Sequence, residues 1–118
     1  MPGSDELKAL RVLAAMYFSM GREESAGRLY RGIMALSEDG REDKGACAGL
    51  AAVALEKGDG AAALQYLAPL LKNTAFSSRK AVFFLMKAQA LWLENRRTEA
   101  RAALNEYLLF AAGRKEGA

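Results

Sequence analysis

The chain has 118 residues, of which 52% are hydrophobic and 26% are charged, a composition that fits one folded domain and excludes a disordered chain. Its single cysteine excludes an internal disulfide and favours a reducing cytosol. Because it also contains no histidine, no catalytic residue, metal site or cofactor is expected. The net charge of +3 arises in residues 79–118, and no apolar run reaches the roughly 18 residues that a membrane span needs.

Six helices are predicted along the chain, because apolar residues recur at helical spacing and strong helix formers dominate the composition. Their expected ranges are about 5–20, 23–37, 43–57, 60–72, 79–94 and 97–111. Ser4, Asp59 and either Ser77 or Ser78 are the candidate residues for capping helix starts. Residues 112–118 are expected to form a frayed tail.

A repeat of 37 residues divides these helices into three pairs. Gly21, Gly58 and Asn95 lie 37 residues apart, each at the turn inside a pair, where Gly and Asn favour the left-handed backbone that ends a helix. Alanine recurs seven residues before each turn and five residues after it, which lets the paired helices approach closely. The expected core residues are Leu13, Ala26, Tyr30, Leu50, Ala63 and Leu67, and Cys47 is expected to be buried and inert.

Helix pairs with this turn and this alanine, followed after four residues by Tyr30, Leu67 or Leu104, resemble tetratricopeptide repeats. The resemblance implies an all-α fold. Three tandem hairpins, at about 5–37, 43–72 and 79–111, would form a short right-handed α-solenoid within a single domain, 1–118. The chain departs from the family in its period, which is usually 34 residues, and in lacking the proline that usually follows the second helix.

The resemblance also implies a concave groove, lined by the first helix of each pair, that binds an extended or helical peptide. The groove positions in this chain are Arg11, Val12, Ala15, Phe18, Ala48, Gly49, Ala52, Leu55, Val82, Leu85, Met86, Gln89 and Trp92. Small residues in the middle unit are expected to leave room for large side chains of a partner. The sequence leaves a second interpretation open, in which the large apolar side chains of this set turn into the core.

The last helix carries more apolar residues than one packing face can bury. Tyr107, Leu108, Leu109 and Phe110 are consecutive, so some of them are expected to be exposed unless another chain covers them. A client protein or a homodimer formed through this uncapped helix would satisfy the expectation equally well.

The layout is similar to that of the small three-repeat chaperones of bacterial type III secretion systems. The segments that carry this similarity are LKALRVLAAMYFSMGREESAGRLYRGIMAL and AQALWLENRRTEARAALNEYLLF. It implies a cytoplasmic bacterial chaperone that holds an amphipathic segment of a small secreted apparatus subunit in its groove.

Two other functions are considered beside this one. The first is a homo-oligomeric scaffold module without chaperone activity. The second is nucleic-acid binding by the basic residues near the end of the chain, which are Arg79, Lys80, Arg96, Arg97, Arg101, Arg114 and Lys115. These residues alternate with glutamates, a pattern typical of a solvated helix surface, so a nucleic-acid partner is not expected.

Overall fold

The computed structural model describes residues 4–36, 44–72 and 79–116. Within these ranges the chain forms helices and no strands, which confirms the all-α prediction. The helices are α1 (Ser4–Ser19), α2 (Glu23–Leu36), α3 (Lys44–Glu56), α4 (Gly60–Leu71), α5 (Arg79–Leu93) and α6 (Arg97–Glu116).

The first five helices begin and end within one residue of their predicted bounds. Helix α6 is longer than predicted, because residues 112–116 continue it to Glu116, and the expected tail is wrong for these residues. Ala, Arg, Lys and Glu are strong helix formers, so a single glycine among them does not end the helix. The predicted caps Ser77 and Ser78 lie outside the described residues.

The turn inside each pair has the same geometry three times. Gly21, Gly58 and Asn95 all have positive φ, at 79°, 77° and 61°, which confirms the prediction from the 37-residue spacing. In the first turn Gly21 N donates to Phe18 O at 3.0 Å and Arg22 N donates to Tyr17 O at 2.9 Å, and residues 37 and 74 positions later repeat both bonds. These paired bonds form a Schellman motif, which satisfies the carbonyl groups at the end of the first helix.

The second helix of the middle pair is capped as predicted. The Asp59 carboxylate accepts a hydrogen bond from Ala62 N at 3.0 Å, which satisfies one of the free N–H groups of the first turn of α4. Together with the turn at Gly58, this cap fixes the direction in which α4 leaves α3.

The helices pack as successive pairs. Helix α1 packs on α2, α3 on α4 and α5 on α6, and the pairs are joined by contacts of α2 with α3 and of α4 with α5. Helix α3 also lies close to both α1 and α5, whereas among the described residues no Cα atom of α4 lies within 8 Å of one in α2 or α6. The first helices of the pairs therefore lie closer together than the second helices.

Five of the six predicted core residues are buried. Ala26, Tyr30, Leu50, Ala63 and Leu67 are buried, as predicted. The prediction for Leu13 is wrong, because its side chain is 40% exposed, whereas Leu50, at the equivalent position of α3, is 3% exposed. The reason is that α3 packs on the pair before it, whereas no described helix covers the corresponding face of α1.

Candidate protein-binding site

The first helix of each pair contributes to one shallow depression on the surface, which we call the inner trough. Phe18 of α1, Ala52, Leu55 and Glu56 of α3, and Met86 and Gln89 of α5 line this depression, which has a volume of about 430 Å³. Phe18, Leu55 and Met86 are half-buried: each packs on one side against a core cluster and leaves the rest of its apolar surface accessible. Ala52 is too small to fill the space between them.

The inner trough continues into a larger depression between α5 and α6, which we call the terminal cleft. The two depressions share Leu55 and Gln89, and the terminal cleft has a volume of about 570 Å³. Its lining consists of Leu55, Leu85, Ala88, Gln89, Trp92, Leu93, Arg97, Ala100, Arg101 and Leu104. Most of these side chains are apolar, and the two arginines come from α6.

Trp92 lies at the edge of the terminal cleft and does not turn into the core. Its side chain is 56% exposed, and the guanidinium carbon of Arg97 lies 4.3 Å from its ring centroid. Arg97 Nε in turn donates to Asn95 Oδ1 at 3.2 Å. A cation–π contact of this kind holds an aromatic ring at the surface. Trp92 therefore presents a large apolar surface to a partner.

Seven of the thirteen predicted groove residues come together in the inner trough and the terminal cleft. They are Phe18, Ala52, Leu55, Leu85, Met86, Gln89 and Trp92. Val12 and Ala15 line a separate depression on α1, of about 420 Å³, with Met16, Ser19 and Met20. Arg11, Ala48 and Val82 line neither the inner trough nor the terminal cleft.

Gly49 does not provide open space for a partner, and that expectation is wrong. A Cβ atom built on Gly49 would overlap the ring of Tyr30, which reaches across from α2. The absence of a side chain at residue 49 therefore serves the packing of α3 on the first helix pair.

Several residues of the terminal cleft were not among the predicted groove residues. Leu104 aligns with Tyr30 and Leu67, which are 7% and 1% exposed, yet Leu104 itself is 41% exposed. The alignment alone does not reveal this difference. It becomes visible once the repeat is treated as a stack, because no described pair lies beyond α6 to cover Leu104.

The apolar residues near the end of α6 divide between packing and exposure, as expected. The ring of Phe110 stacks on that of Phe84 in α5, with centroids 5.0 Å apart and an interplanar angle of 26°. Leu108 and Leu109 are exposed. Helix α6 therefore presents apolar surface that no described residue covers.

The basic residues near the end of the chain do not form one patch within the described part. Lys80 is buried. Arg96 forms two hydrogen bonds with the Glu99 carboxylate, at 3.0 and 2.6 Å, which raise the pKa of Arg96 and lower that of Glu99. Arg97 is held over Trp92, and Arg101 lines the terminal cleft. Those basic side chains that the structure describes therefore form no continuous row of cations for a nucleic-acid backbone.

Cys47 is buried, as predicted, among Ala51, Leu67 and Leu70. Among the described residues, no three or more histidine, cysteine or acidic side chains are grouped where they could hold a metal ion. None of the described helices is both long and apolar enough to cross a membrane.

Comparison with family models, curated proteins and solved structures finds no match to this chain.

Proposed function

We propose that the chain is a protein-binding adaptor or chaperone, rather than an enzyme, and that it holds an amphipathic helix of a client protein in the inner trough. The observation that carries this proposal is the half-exposed apolar lining, to which the first helix of every pair contributes. In this proposal the three pairs are tetratricopeptide-like repeats in a short right-handed α-solenoid, and the inner trough lies on its concave face.

The helix contacts support the solenoid. The Cα atoms of the first helices of successive pairs approach within 8 Å, whereas among the described residues those of the second helices of successive pairs do not. A stack of hairpins that is tighter along one row of helices than along the other is curved, with the tighter row inside. The identical turns at residues 21, 58 and 95 support a regular stack.

The chemistry of the inner trough favours a helix over an extended strand as its ligand. The backbone N–H and C=O groups of α1, α3 and α5 are used within the helices, so they cannot pair with a strand. Recognition must therefore rely on side chains, which is how an amphipathic helix binds in a groove. Met86 can adapt its shape to a client residue, and Glu56 and Gln89 can contact the polar edge of the bound helix.

We further propose that the client is a small secreted subunit of a type III secretion apparatus and that the complex forms in the bacterial cytoplasm. The similarity in layout and repeat type to the small three-repeat chaperones, described above, supports this narrower proposal. The inner trough would shield the apolar face of the subunit before export.

The substitution Ala52→Trp tests the proposal, because an indole at residue 52 fills the space between the half-buried side chains of the inner trough. The client is first identified by affinity purification with the wild-type chain from the native cell. We expect Ala52→Trp to weaken binding of the purified client by at least about tenfold in calorimetry, with the helical circular dichroism unchanged.

The matched control is Ala61→Trp, on an exposed position of α4 in the same helix pair. This variant is expected to bind the client as the wild type does. Wild-type affinity in Ala52→Trp would show that the inner trough is not the binding site.

A further inference from the structure

Two apolar surfaces of the molecule have no described helix packed on them. The first is the terminal cleft between α5 and α6. The second, which we call the N-terminal face, belongs to α1 and consists of Val12, Leu13, Met16 and Met20, all of which are exposed. The repeat allows both surfaces to be compared with the junctions between pairs inside the chain.

The terminal cleft corresponds to surfaces that are covered in the first and second pairs. Leu104 is equivalent to Tyr30 and Leu67. The ring of Tyr30 lies over Gly49 of α3, and Leu67 belongs to a core cluster against which Phe83 of α5 packs. The terminal cleft is therefore the third copy of a surface that twice receives the first helix of the next pair.

The N-terminal face corresponds to the surfaces that α3 and α5 use at these junctions. Met16 is equivalent to Val53 of α3 and to Ala90 of α5. Val53 shares a core cluster with Tyr30, and Ala90 shares one with Ala63. Both are buried, whereas Met16 is exposed. Helix α1 therefore carries the half of the junction that complements the terminal cleft.

We propose that the chain associates with itself head to tail, with the N-terminal face of one copy docked in the terminal cleft of the next. The occupant is a second copy because each molecule exposes both halves of a junction that it forms twice internally. This inference does not depend on the proposed client. It predicts an intermolecular junction with the packing of the α2–α3 and α4–α5 contacts.

One position of the cleft has a different size from its equivalents. Arg97 is equivalent to Gly60, whose lack of a side chain allows α4 to approach Ala90 closely. It is also equivalent to Glu23, which lies at the α2–α3 junction. Glu23 is half-buried there, so the junction accommodates a long charged side chain at this point. Arg97 can therefore remain at the edge of the docked helix.

The distribution of charge favours the head-to-tail orientation. Residues 79–118 carry eight basic and four acidic side chains, whereas residues 1–40 carry five basic and six acidic ones. Head-to-tail docking brings an excess of positive charge against a slight excess of negative charge, whereas tail-to-tail docking would oppose two positive ends. Opposite charges favour the encounter and like charges oppose it.

A junction between two different surfaces is heterologous, so each added copy leaves one free surface of each kind. The full chain is tested by sedimentation over a series of concentrations. The mass is expected to rise from the monomer value of 12.7 kDa and to pass twice that value without a plateau at the dimer.

The variants Met16→Glu and Leu104→Glu each damage one half of the junction. Both positions are exposed, so a charge there is expected to leave the helical circular dichroism unchanged. In the docked state each carboxylate would be buried without a partner. Each variant alone is therefore expected to remain monomeric at concentrations where the wild type assembles, a loss of at least about tenfold in affinity.

Mixing the two variants gives the decisive measurement. Met16→Glu retains an intact terminal cleft and Leu104→Glu retains an intact N-terminal face, so an equimolar mixture is expected to form a 1:1 complex and nothing larger. The matched control is Leu109→Glu, which changes an exposed residue of α6 outside the terminal cleft and should assemble as the wild type does.

Three results would overturn the inference. A wild-type chain that stays monomeric up to roughly millimolar concentration would do so, because the junction would then be too weak to matter. A single variant that still forms a dimer alone would indicate a symmetric interface instead. A mixture of the two variants that stays monomeric would show that their surfaces do not meet. None of these results bears on the client affinity that Ala52→Trp tests.

Discussion

At the residue scale, Gly60 shows how packing can override helix propensity. It is the first residue of α4, and a Cβ atom there would overlap the carbonyl oxygen of Ala90 in α5 and press on the Leu93 side chain. The carbonyl belongs to the backbone of a packed helix and cannot easily move. The close approach of the second and third pairs therefore requires glycine at this position.

We expect Gly60→Ala to lower the free energy of unfolding by about 1–3 kcal/mol through overpacking, although alanine is the better helix former. Gly32→Ala in α2 is the matched control, because nothing lies within 4 Å of the added Cβ. That control should raise the free energy of unfolding by about 0.5–1 kcal/mol. Urea denaturation followed by circular dichroism measures both values, and a stabilised Gly60→Ala variant would contradict the packing argument.

The residues that the sequence predicts well are those whose role is decided locally. Gly21, Gly58 and Asn95 could be assigned to left-handed turns because backbone conformation depends on the residue itself and its neighbours. The contact of Gly49 with Tyr30 could not be predicted, because it depends on a side chain from another helix. The exposure of Leu13 was missed for a related reason, since its equivalent Leu50 is buried by packing on the preceding pair, and α1 has no described pair before it.

At the scale of elements, an ion pair joins the first two helix pairs. Lys57, just after α3, donates to the Glu24 carboxylate at the start of α2 at 2.5 Å. This hydrogen bond and the charge of Lys57 hold the pKa of Glu24 below its ordinary value of 4.5. Both side chains are exposed, so the interaction is weak and screened by salt.

Because the pKa of Glu24 is lower in the folded state than in the unfolded one, the pair stabilises the fold at pH values above 4.5. This contribution is lost as the pH falls through the folded pKa. In an NMR titration we expect the midpoint of Glu24 to lie below 4.5 and to return toward that value in Lys57→Gln. Lys72→Gln, at a distant exposed position, should leave the midpoint unchanged. A titration unaffected by Lys57→Gln would rule out the pair in solution.

How much of the candidate site could be predicted depends on the helices that supply its residues. Helical periodicity places the inner-trough residues on one face of each first helix, so Phe18, Leu55 and Met86 could be selected from the sequence. The terminal cleft was predicted only in part, because four of its ten lining residues come from α6, where the repeat assigns Ala100 and Leu104 to core positions. Whether the residue at such a repeat position is buried depends on whether another helix packs against it.

At the scale of the whole molecule, the described helices whose Cα atoms approach within 8 Å of each other are at most two positions apart in the chain. Among the described residues, no Cα atom of α1 or α2 lies within 8 Å of one in α5 or α6. The middle pair has neighbours on both sides, whereas each outer pair has one. In the solenoid that we propose, the free energy of unfolding is the sum of contributions from each pair and from the junctions between adjacent pairs.

We therefore expect hydrogen exchange in the monomeric chain to be slowest in α3 and α4, by at least about tenfold relative to α1 and α6. Exchange measured by mass spectrometry at low protein concentration, with peptides that cover each helix separately, tests this order. The Met16→Glu variant serves as the monomeric control. Equal protection in all six helices would indicate a single cooperative unit and contradict the additive description.

The short reach of these contacts has a consequence for biosynthesis. Each hairpin packs on the hairpins next to it in the chain, so the first hairpin can pack on the second while the third is still inside the ribosome. During translation the hairpins can therefore pack one after another, because the core of each hairpin requires no helix that is distant in the chain.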